Sequence, residues 1–530
     1  MEQDSPPYQQ PGPMRNRFLP LLLGLAICAC GTRPSGPEMI MTGGRIYVVP
    51  GGNTVVSALA IQDDVILALG SDEEILALAG DDTQEMALGG ATVLAGMHDA
   101  WVDLFATGAA EEWMDLRLAA TPRDVQAKLR AQLGDDADVL VGWGWDERRW
   151  PDPTPPASSV LDAVVSDRPV VLYRRAGRVA WLNSVAIERA GVGGSELPWQ
   201  GRQTGLVTGD TLEQVEQTLL PLEQESAREW IRRALRAAAA AGITSLATAP
   251  LYSRGVDLLA GMDPADITLR VTGRLGPGSS APDARGLLSF DALGLDLDGP
   301  IALYLGALAE PYANGRAAAA VDRELLDDAC ARATQANLPL DVQARGDAAV
   351  AAALECSATR LVVGADVLPT ETLPRGSRLV AVPGRLGHDL YWLDEALGPD
   401  RAPRAHAYRE MARNGWLGGI ASSAPANAMR PMEALRIMFT RKDRDGYPLD
   451  GWQATERLAL GDSLRALMAA GPLTPELGAG RPADLVIWSE DPFAGESELA
   501  RAQALLVLVQ GRVVYSRPLV TPPLDRRQHP

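Results

Sequence analysis

The sequence predicts an α/β fold in which a (β/α)8 TIM-like barrel is joined to a small β-sandwich built from both ends of the chain. In the middle of the chain, strand-like runs alternate with Ala-rich amphipathic helices, which is typical of a parallel sheet. Short runs rich in Val and Ile occur near both ends. The length of 530 residues, 46 % of them hydrophobic and 22 % charged, suits a large barrel with a second domain.

The first segment has the pattern of an export signal. Arg15 and Arg17 precede an apolar run over residues 18–30, which is too short to span a bilayer but typical of a secretory leader. Ala29 before Cys30 resembles a bacterial lipobox. We therefore predict a signal peptide over 1–30 with Cys30 as the lipidated residue; a plain signal peptide and an uncleaved anchor are the alternatives.

The residues around this segment refine the expected location. Gly31 follows Cys30 at a position where Asp would resemble an inner-membrane retention signal. The prediction is therefore a lipid anchor in the bacterial outer membrane, with the protein on its periplasmic or surface face. The polar stretch ahead of Met14 is unusual for a signal peptide, and translation starts either at Met1 or at Met14.

A Gly/Pro-rich linker over 31–38 leads into the strands of the predicted sandwich. The runs MIMTGGRIYVV and SALAIQDDVILALG near the start share their texture with ADLVIWSED and ALLVLVQGRVVYSRP near the end. We assign the composite sandwich to 39–96 together with 470–520, the barrel to 97–469, and a flexible tail to 521–530.

The barrel region repeats a unit of helix and strand. ESAREWIRRALRAAAAAGITSLATA contains a helix, a Gly stop and an apolar strand. VDRELLDDACARATQANLPLDVQARGDAAVAAALEC contains a helix, a strand and a second helix. A closed barrel of eight such units accounts for a region of this length.

Charge and cysteine content narrow the function classes. The net charge of −19 argues against nucleic acid as a partner, because phosphates require a basic surface. Cys330 and Cys356 lie in predicted helices, and in an exported protein this pair could form a disulfide. We favour two buried thiols instead, because the sequence does not show that their Cβ atoms meet.

Several stretches resemble the amidohydrolase superfamily. GGATVLAGMHDA, GWGWDERRWP, GRQTGLVTG, RGDAAV, TRKDRDGYPL and RPADLVIWSEDPF occur in the order expected of that family. The resemblance covers nearly all residues from Met39 to Pro518. Within the superfamily, the sequence is similar to the branch of N-substituted formamide deformylases. It implies a metal-dependent hydrolase barrel with a sandwich, and a reaction in which a divalent metal activates water.

The resemblance also implies where the metal ligands would lie, and each position carries a different residue type. The family positions are a His-x-His pair, a later His, a Glu and a His on the next strand, a proton-shuttling Asp and a substrate-facing His. In that order this chain has Trp101 and Asp103, Gln343, Val362 and Val363, Ser423, and Arg178.

We therefore predict a degenerate pocket at the barrel mouth, in which Trp101 fills the space of the metal. Asp341 shares a strand face with Gln343 by the i, i+2 rule. Asp103 and Arg178 are candidates for an ion pair across the mouth. His98 falls at a position that is not a ligand in the family, and we interpret it as a packed or hydrogen-bonded residue.

Two alternatives concern charged residues near the mouth. Asp103, Asp341 and Asp210 could build an oxygen-rich site for another cation. The arginines of YRRAGR (Arg174, Arg175 and Arg178) either bind an anionic ligand or form a solvated loop face, and we favour the solvated face.

The prediction for function is a non-catalytic, amidohydrolase-like lipoprotein without a metal or other cofactor. It would bind a small-molecule ligand or a partner at the barrel mouth, and no nucleic acid. The alternative is a hydrolase acting on carbon–nitrogen bonds other than peptide bonds, either metal-free or with a rebuilt acidic metal site. Whether the chain is an enzyme stays open at this level.

Overall fold

The computed structural model describes residues 36–134, 136–175, 179–194, 197–199, 202–220, 223–469, 471–472 and 474–518. These residues form a sandwich from both ends of the chain, an eight-stranded parallel barrel sheet, and a further sheet inserted after the first barrel strand. The predicted fold class is confirmed. The leader with Cys30, Arg178 and the tail over 521–530 lie outside the described residues.

The amino-terminal part of the sandwich forms where the Val- and Ile-rich runs predicted strands. One sheet has the strand order β5-β4-β1-β6, and β7, β2 and β3 join a second sheet. The elements are β1 (Met39–Thr42), β2 (Arg45–Tyr47), β3 (Val55–Val56), β4 (Ala58–Gln62), β5 (Val65–Gly70), α1 (Asp72–Leu76), β6 (Gln84–Ala87) and β7 (Thr92–Ala95).

The barrel begins with β8 (Met97–Val102) and α2 (Leu104–Ala109). All six residues of β8 are buried. A continuous buried run of this kind is typical of a parallel strand that is covered on both faces. This strand carries the stretch on which the sequence-based site prediction depends.

A second mixed sheet, with the strand order β15-β12-β11-β10-β9, is inserted between β8 and the next barrel strand. Its strands have the same apolar composition as barrel strands, so the hydrophobic pattern alone does not separate them. The elements are β9 (Met114–Asp115), α3 (Pro122–Ala131), β10 (Leu140–Trp145), a 3₁₀ turn (Glu147–Arg149), α4 (Ser158–Asp162), β11 (Val170–Arg174), β12 (Val179–Leu182), α5 (Ser184–Ala190), β13 (Pro198–Trp199), β14 (Arg202–Gln203), β15 (Leu206–Thr208) and α6 (Gly209–Leu219).

The remaining barrel strands follow in sequence order, so that the sheet runs β8-β16-β17-β18-β19-β20-β21-β22. A parallel bridge from Val102 to Ala424 connects the end of β8 to the segment after β22. The elements are α7 (Gln224–Ala240), β16 (Ile243–Leu251), α8 (Ser253–Ala260), β17 (Arg270–Leu275), β18 (Leu288–Asp296), α9 (Arg323–Ala336), β19 (Leu340–Ala344), α10 (Asp347–Glu355), β20 (Thr359–Gly364), β21 (Leu379–Ala381), α11 (Pro383–Asp389), α12 (Leu393–Leu397), α13 (Tyr408–Arg413), β22 (Leu417–Ile420), α14 (Pro431–Thr440) and α15 (Leu460–Ala469), with 3₁₀ turns at Pro264–Asp266, Ile301–Leu303, Ala402–Arg404 and Ala454–Glu456.

Helix α7 shows how the predicted helical period becomes packing. Its buried positions recur at helical spacing and form one apolar face. The buried residues of α7 are Ala227, Ile231, Ala234, Leu235, Ala238 and Ala239.

No helix within the described ranges combines the length and the apolar composition that crossing a bilayer requires.

The end of the chain returns to the sandwich through β23 (Leu485–Trp488), α16 (Glu496–Arg501), β24 (Ala504–Val509) and β25 (Arg512–Ser516). Strand β23 pairs antiparallel with β7 and completes a sheet of order β25-β24-β23-β7-β2-β3. Arg270 on β17 donates to the buried carboxylate of Asp484 at 2.7 Å. This ion pair ties the sandwich to the barrel.

The expectation of two buried thiols is wrong. Cys330 on α9 and Cys356, directly after α10, form a disulfide, with their Cα atoms 6.1 Å apart. The two helices flank β19 in the chain and both pack against it, which brings residues 26 positions apart into bonding range. Helix positions alone do not fix this approach.

The contact between α2 and α7 yields a first prediction. A Cβ atom on Gly108 would lie 1.9 Å from the Trp230 carbonyl oxygen, so Gly108→Ala should force the two helices apart. We expect the free energy of unfolding to fall by about 1–3 kcal/mol, measured by urea unfolding. Gly134→Ala, with nothing within 4 Å of its new Cβ, is the control. Equal stability of both variants would contradict the packing.

Candidate functional site

The barrel interior under the mouth is filled by apolar side chains. Trp101 on β8 is 3 % exposed and belongs to a cluster with Leu361 and Val363 of β20 and Val380 of β21. Val362, between the two β20 residues, instead faces the main core. The inward side chains of opposite strands therefore meet across the barrel and leave the Trp101 ring inside it.

An ion cluster (Arg274, Asp341 and Arg360), in which Arg274 and Asp341 are buried and Arg360 is partly exposed, lies beside the Trp101 ring. The guanidinium carbon of Arg274 is 4.7 Å from the ring centroid, which is within cation–π range. Arg274 Nε donates to Asp341 Oδ2 at 2.6 Å. Arg360 donates to both carboxylate oxygens, at 2.9 and 2.6 Å.

The ion cluster keeps Asp341 as a fully engaged anion. Burial alone would raise the pKa of the Asp341 carboxyl, but the charges of Arg274 and Arg360 and the hydrogen bonds from them outweigh it and lower the pKa. Arg274 also donates to the Thr248 carbonyl at 2.8 Å. Both oxygens of Asp341 accept from guanidinium groups and are not free to hold a cation.

Asp103 has a structural role at the end of the first barrel strand. It is the N-cap of α2, and its Oδ1 accepts a hydrogen bond from the Ala106 amide at 3.0 Å. Such a cap satisfies a backbone donor that the helix leaves unpaired. The predicted partner in an ion pair, Arg178, lies outside the described residues.

The alternative of an oxygen-rich cation site is wrong. Asp103 caps a helix, Asp341 is held by two arginines, and Asp210 is exposed in the first turn of α6. Within the described part of the chain, no group of three or more His, Cys, Asp or Glu side chains could hold a metal ion.

Gln343 and Ser423 are the remaining residues of the predicted pocket. Gln343 Oε1 accepts from an Arg345 guanidinium nitrogen, while its buried amide nitrogen has no hydrogen-bond partner among the described residues. Ser423 has a positive φ of 57°, and its backbone amide donates to the Trp101 carbonyl at 3.0 Å. This bond fixes the loop after β22 to the end of β8.

His98 and Asp99 are buried neighbours on β8. His98 Nδ1 lies 2.9 Å from Ser245 Oγ, which agrees with its interpretation as a hydrogen-bonded residue. Burial, helped by the charges of Arg274 and Arg360, lowers the pKa of His98 to about 3. Burial raises the pKa of Asp99 to about 6.

A cavity of about 900 Å³ is lined by carboxyl-end loops of the barrel, by the inserted sheet, and by strand residues that include His98, Asp99 and Ile243; we call it the mouth cavity. A smaller recess adjoins it and is lined by five arginines and three aspartates. The charged residues of the recess are Arg148, Arg174, Arg175, Arg345, Arg385, Asp146, Asp366 and Asp389.

Most arginines of the recess are positioned by acidic partners. Arg174 donates to Glu147 at 2.8 Å, and Arg385 donates to Asp366 at 2.8 Å. The expectation of a solvated loop face is wrong for Arg174, which is 5 % exposed. Arg175 lines both cavities and donates to a backbone carbonyl, so it also belongs to the site.

A chain of three polar side chains reaches the recess from the barrel wall. His406 Nε2 lies 2.9 Å from Asp389 Oδ2, and its Nδ1 lies 3.1 Å from the Tyr408 hydroxyl. Burial raises the pKa of Asp389. His388 lines both cavities, and burial together with the charge of Arg175 lowers its pKa to about 4, so it is neutral at pH 7.

Comparison with known sequences identifies the family. The sequence profile of the amidohydrolase family matches residues 84–515. The chain belongs to the amidohydrolase family.

Two relatives of this amidohydrolase align over most of its length. It is 24 % identical over 483 residues to "Putative amidohydrolase YtcJ" of Bacillus subtilis, covering 81 % of this chain and 90 % of that protein. It is 25 % identical over 565 residues to "Protein LONG AFTER FAR-RED 3" of Arabidopsis thaliana, covering 94 % of this chain and 96 % of that protein.

Solved structures show the same fold. Two crystal structures of uncharacterized metal-dependent hydrolases are similar to this amidohydrolase. The one from Pyrococcus horikoshii has a TM-score of 0.70 at 19 % identity and covers 86 % of this chain and 98 % of its own. The one from Pyrococcus furiosus has a TM-score of 0.66 at 20 % identity and covers 86 % and 99 %.

The metal that the resemblance to amidohydrolases implies does not fit the residues present in this amidohydrolase. The Trp101 indole has a hydrogen-bond donor and no lone pair for a metal. Val362 and Val363 carry no ligand atom, and the Gln343 oxygen is taken by Arg345. A zinc site requires imidazole, thiolate or carboxylate ligands in a defined geometry.

Sequence reasoning missed the acidic and basic residues that position the recess. Arg345, Arg385, His388, Asp389 and His406 follow barrel strands that are far apart in sequence. One feature of the sequence that could have pointed to these residues is its small number of histidines. The whole chain has four, of which His98 and His388 line the mouth cavity and His406 lies within hydrogen-bonding distance of Asp389 in the recess.

The ion cluster yields a second prediction. Asp341→Asn removes the anion between two guanidinium groups and leaves the buried charge of Arg274 uncompensated. We expect a loss of about 3–5 kcal/mol in the free energy of unfolding, measured by urea unfolding. Asp115→Asn is the matched control, because Asp115 pairs with Arg117 while half exposed and should lose less than about 1 kcal/mol. Equal small losses in both variants would refute the role of the ion cluster.

Proposed function

We propose that this amidohydrolase is a non-hydrolytic binding protein that takes a small organic anion in its mouth cavity. The observation that carries the proposal is the barrel interior, where Trp101 and the ion cluster occupy the space beneath the mouth. We also propose that, within the family, this chain is related to the N-substituted formamide deformylases. The support for this relationship is the set of sequence motifs alone.

The proposal that the metal-dependent hydrolysis of the family is absent follows from the metal ligands that the interior residues can supply. A metal-dependent hydrolase needs three or more ligands and an open position for water. Trp101 and Val363 offer no ligand atom, and the Asp341 carboxylate is held by Arg274 and Arg360. These residues support a barrel stabilised by packing and ion pairing.

The anionic ligand follows from the walls of the mouth. A cavity of about 900 Å³ has the size of known small-molecule sites. Arg175, Arg345 and Arg385 line the recess at its base, and guanidinium forks match carboxylate geometry. Arg175 donates to the Ala426 carbonyl and not to a carboxylate, so its charge is available to a bound anion.

A metal-free hydrolase for carbon–nitrogen bonds is the second candidate. It is favoured by one observation, the Asp389 carboxyl with a raised pKa that lies at the recess and is hydrogen-bonded to His406. A carboxyl in this state could exchange a proton with a bound substrate. Hydrolysis without bound metal would favour this candidate.

The third prediction tests the two candidates together. The protein purified from zinc- and manganese-supplemented medium should carry far less than one metal ion per chain by plasma mass spectrometry and should not hydrolyse N-substituted formamides. One tightly bound metal per chain would contradict the non-hydrolytic proposal.

Ligand class is measured separately, by calorimetry with succinate, glutarate and phthalate. Arg385→Gln should weaken binding at least about tenfold, since a charge-assisted hydrogen bond contributes about 1.5–3 kcal/mol. Arg123→Gln, an exposed substitution on α3, is the control. Equal affinity of the two variants, or no binding of any dicarboxylate, would contradict an anion site in the recess.

We also propose that the mature protein is anchored to the outer membrane through lipid on Cys30. The support is the sequence Arg15 and Arg17, an apolar run, and Ala29 directly before the cysteine. The fourth prediction is that mass spectrometry of the mature amino terminus finds a lipidated Cys30. An unmodified terminus at another residue would refute the anchor.

A further inference from the structure

A third cavity, of about 690 Å³, lies on the outer wall of the barrel between α13, β22 and α15. We call it the arginine groove. Its floor is apolar and includes Ala412, Leu417, Leu458 and Ala466. Its charged residues are Arg409, Arg413, Arg457, Arg465 and Asp462.

The charges of the arginine groove are poorly compensated by its own residues. Asp462 pairs with Arg465. Arg409 donates to the Thr455 carbonyl at 3.0 Å and Arg457 to the Asp450 carbonyl at 2.5 Å, and neither bond neutralises a charge. Within the described ranges, Arg413 makes no side-chain hydrogen bond and no ion pair.

This concentration of positive charge is unusual for the chain. The protein has 68 acidic and 49 basic residues, and several exposed arginines elsewhere pair with carboxylates. Arg323, for example, pairs with Glu355 at 2.5 Å. The carboxylate of Glu456 is near the groove, but it accepts the backbone amides of Arg409 and Glu410 at 3.0 Å each.

The composition of the groove indicates the chemistry of its ligand. Four guanidinium groups against Asp462 in the groove and Glu456 at its edge favour a multivalent anion, and a phosphate monoester carries about −1.5 to −2 charges at pH 7. Guanidinium forks bind phosphate oxygens in pairs. The apolar floor adds room for a non-polar part of the same molecule, because burying apolar surface is favourable.

We propose that the arginine groove binds an organic phosphate, with the phosphate between the four arginines and an apolar group on the floor. The phosphate belongs either to a lipid headgroup or to a soluble phosphate ester, since both present the same chemistry. The groove shares no residue with the mouth cavity, so the proposal stands independently of the ligand proposed there.

The fifth prediction uses the full mature chain and dihexanoyl phosphatidic acid, a soluble phosphate monoester with short apolar tails. Calorimetry should show one site per chain, with affinity falling as salt rises. Replacing Arg413 and Arg457 together by Gln should weaken binding at least about tenfold. Arg130→Gln, an exposed arginine on α3, is the matched control and should bind like the parent.

Two further arms separate the sources of the phosphate. Co-sedimentation with phosphatidylcholine vesicles that contain phosphatidic acid, but not with pure phosphatidylcholine, assigns a lipid headgroup. Binding of the soluble probe without vesicle binding assigns a soluble ester. The thermal midpoint of the double variant checks its fold, since the substituted side chains are exposed. No binding of the probe by a folded parent, or equal binding by the double variant, would overturn the proposal.

Discussion

The carboxylate of Asp341, held between the guanidinium groups of Arg274 and Arg360, is the interaction on which the barrel interior depends. Three donors at 2.6–2.9 Å satisfy both of its oxygens. A buried carboxylate is costly unless it is paired and fully hydrogen-bonded. The bonds join β17, β19 and β20, and the Trp101 ring beside Arg274 brings β8 into the same cluster.

The same strand, β17, connects this cluster to the opposite end of the barrel. Arg270 and Arg274 are four residues apart, so their side chains leave the strand on the same face. Arg274 reaches Asp341 in the interior, while Arg270 reaches Asp484 next to the sandwich. Two ion pairs on β17 therefore stabilise the barrel. The pair of Arg274 and Asp341 lies in the interior, and the pair of Arg270 and Asp484 also connects the barrel to the sandwich.

A closed interior changes what the mouth can do. The mouth cavity is lined by loops after the barrel strands, by the inserted sheet and by His98 and Asp99 of β8, and its recess is rich in arginine. The acidic partners Glu147 and Asp366 hold Arg174 and Arg385 in place. Arg148 and Arg175 in the same recess donate to backbone carbonyls rather than to carboxylates, and guanidinium groups of this kind favour recognition of an anion.

The sequence by itself determined the barrel and the strands near both ends of the chain, because hydrophobic period and residue identity are local properties. Helix α7, strand β8 and the position of Trp101 follow from such patterns. Tertiary structure decided which charges meet: Asp341 with Arg274 and Arg360, Asp103 with the start of α2, and Cys330 with Cys356. These partners lie 3 to 67 residues apart in the chain. Their contacts depend on how the strands close into a barrel, which no single segment specifies.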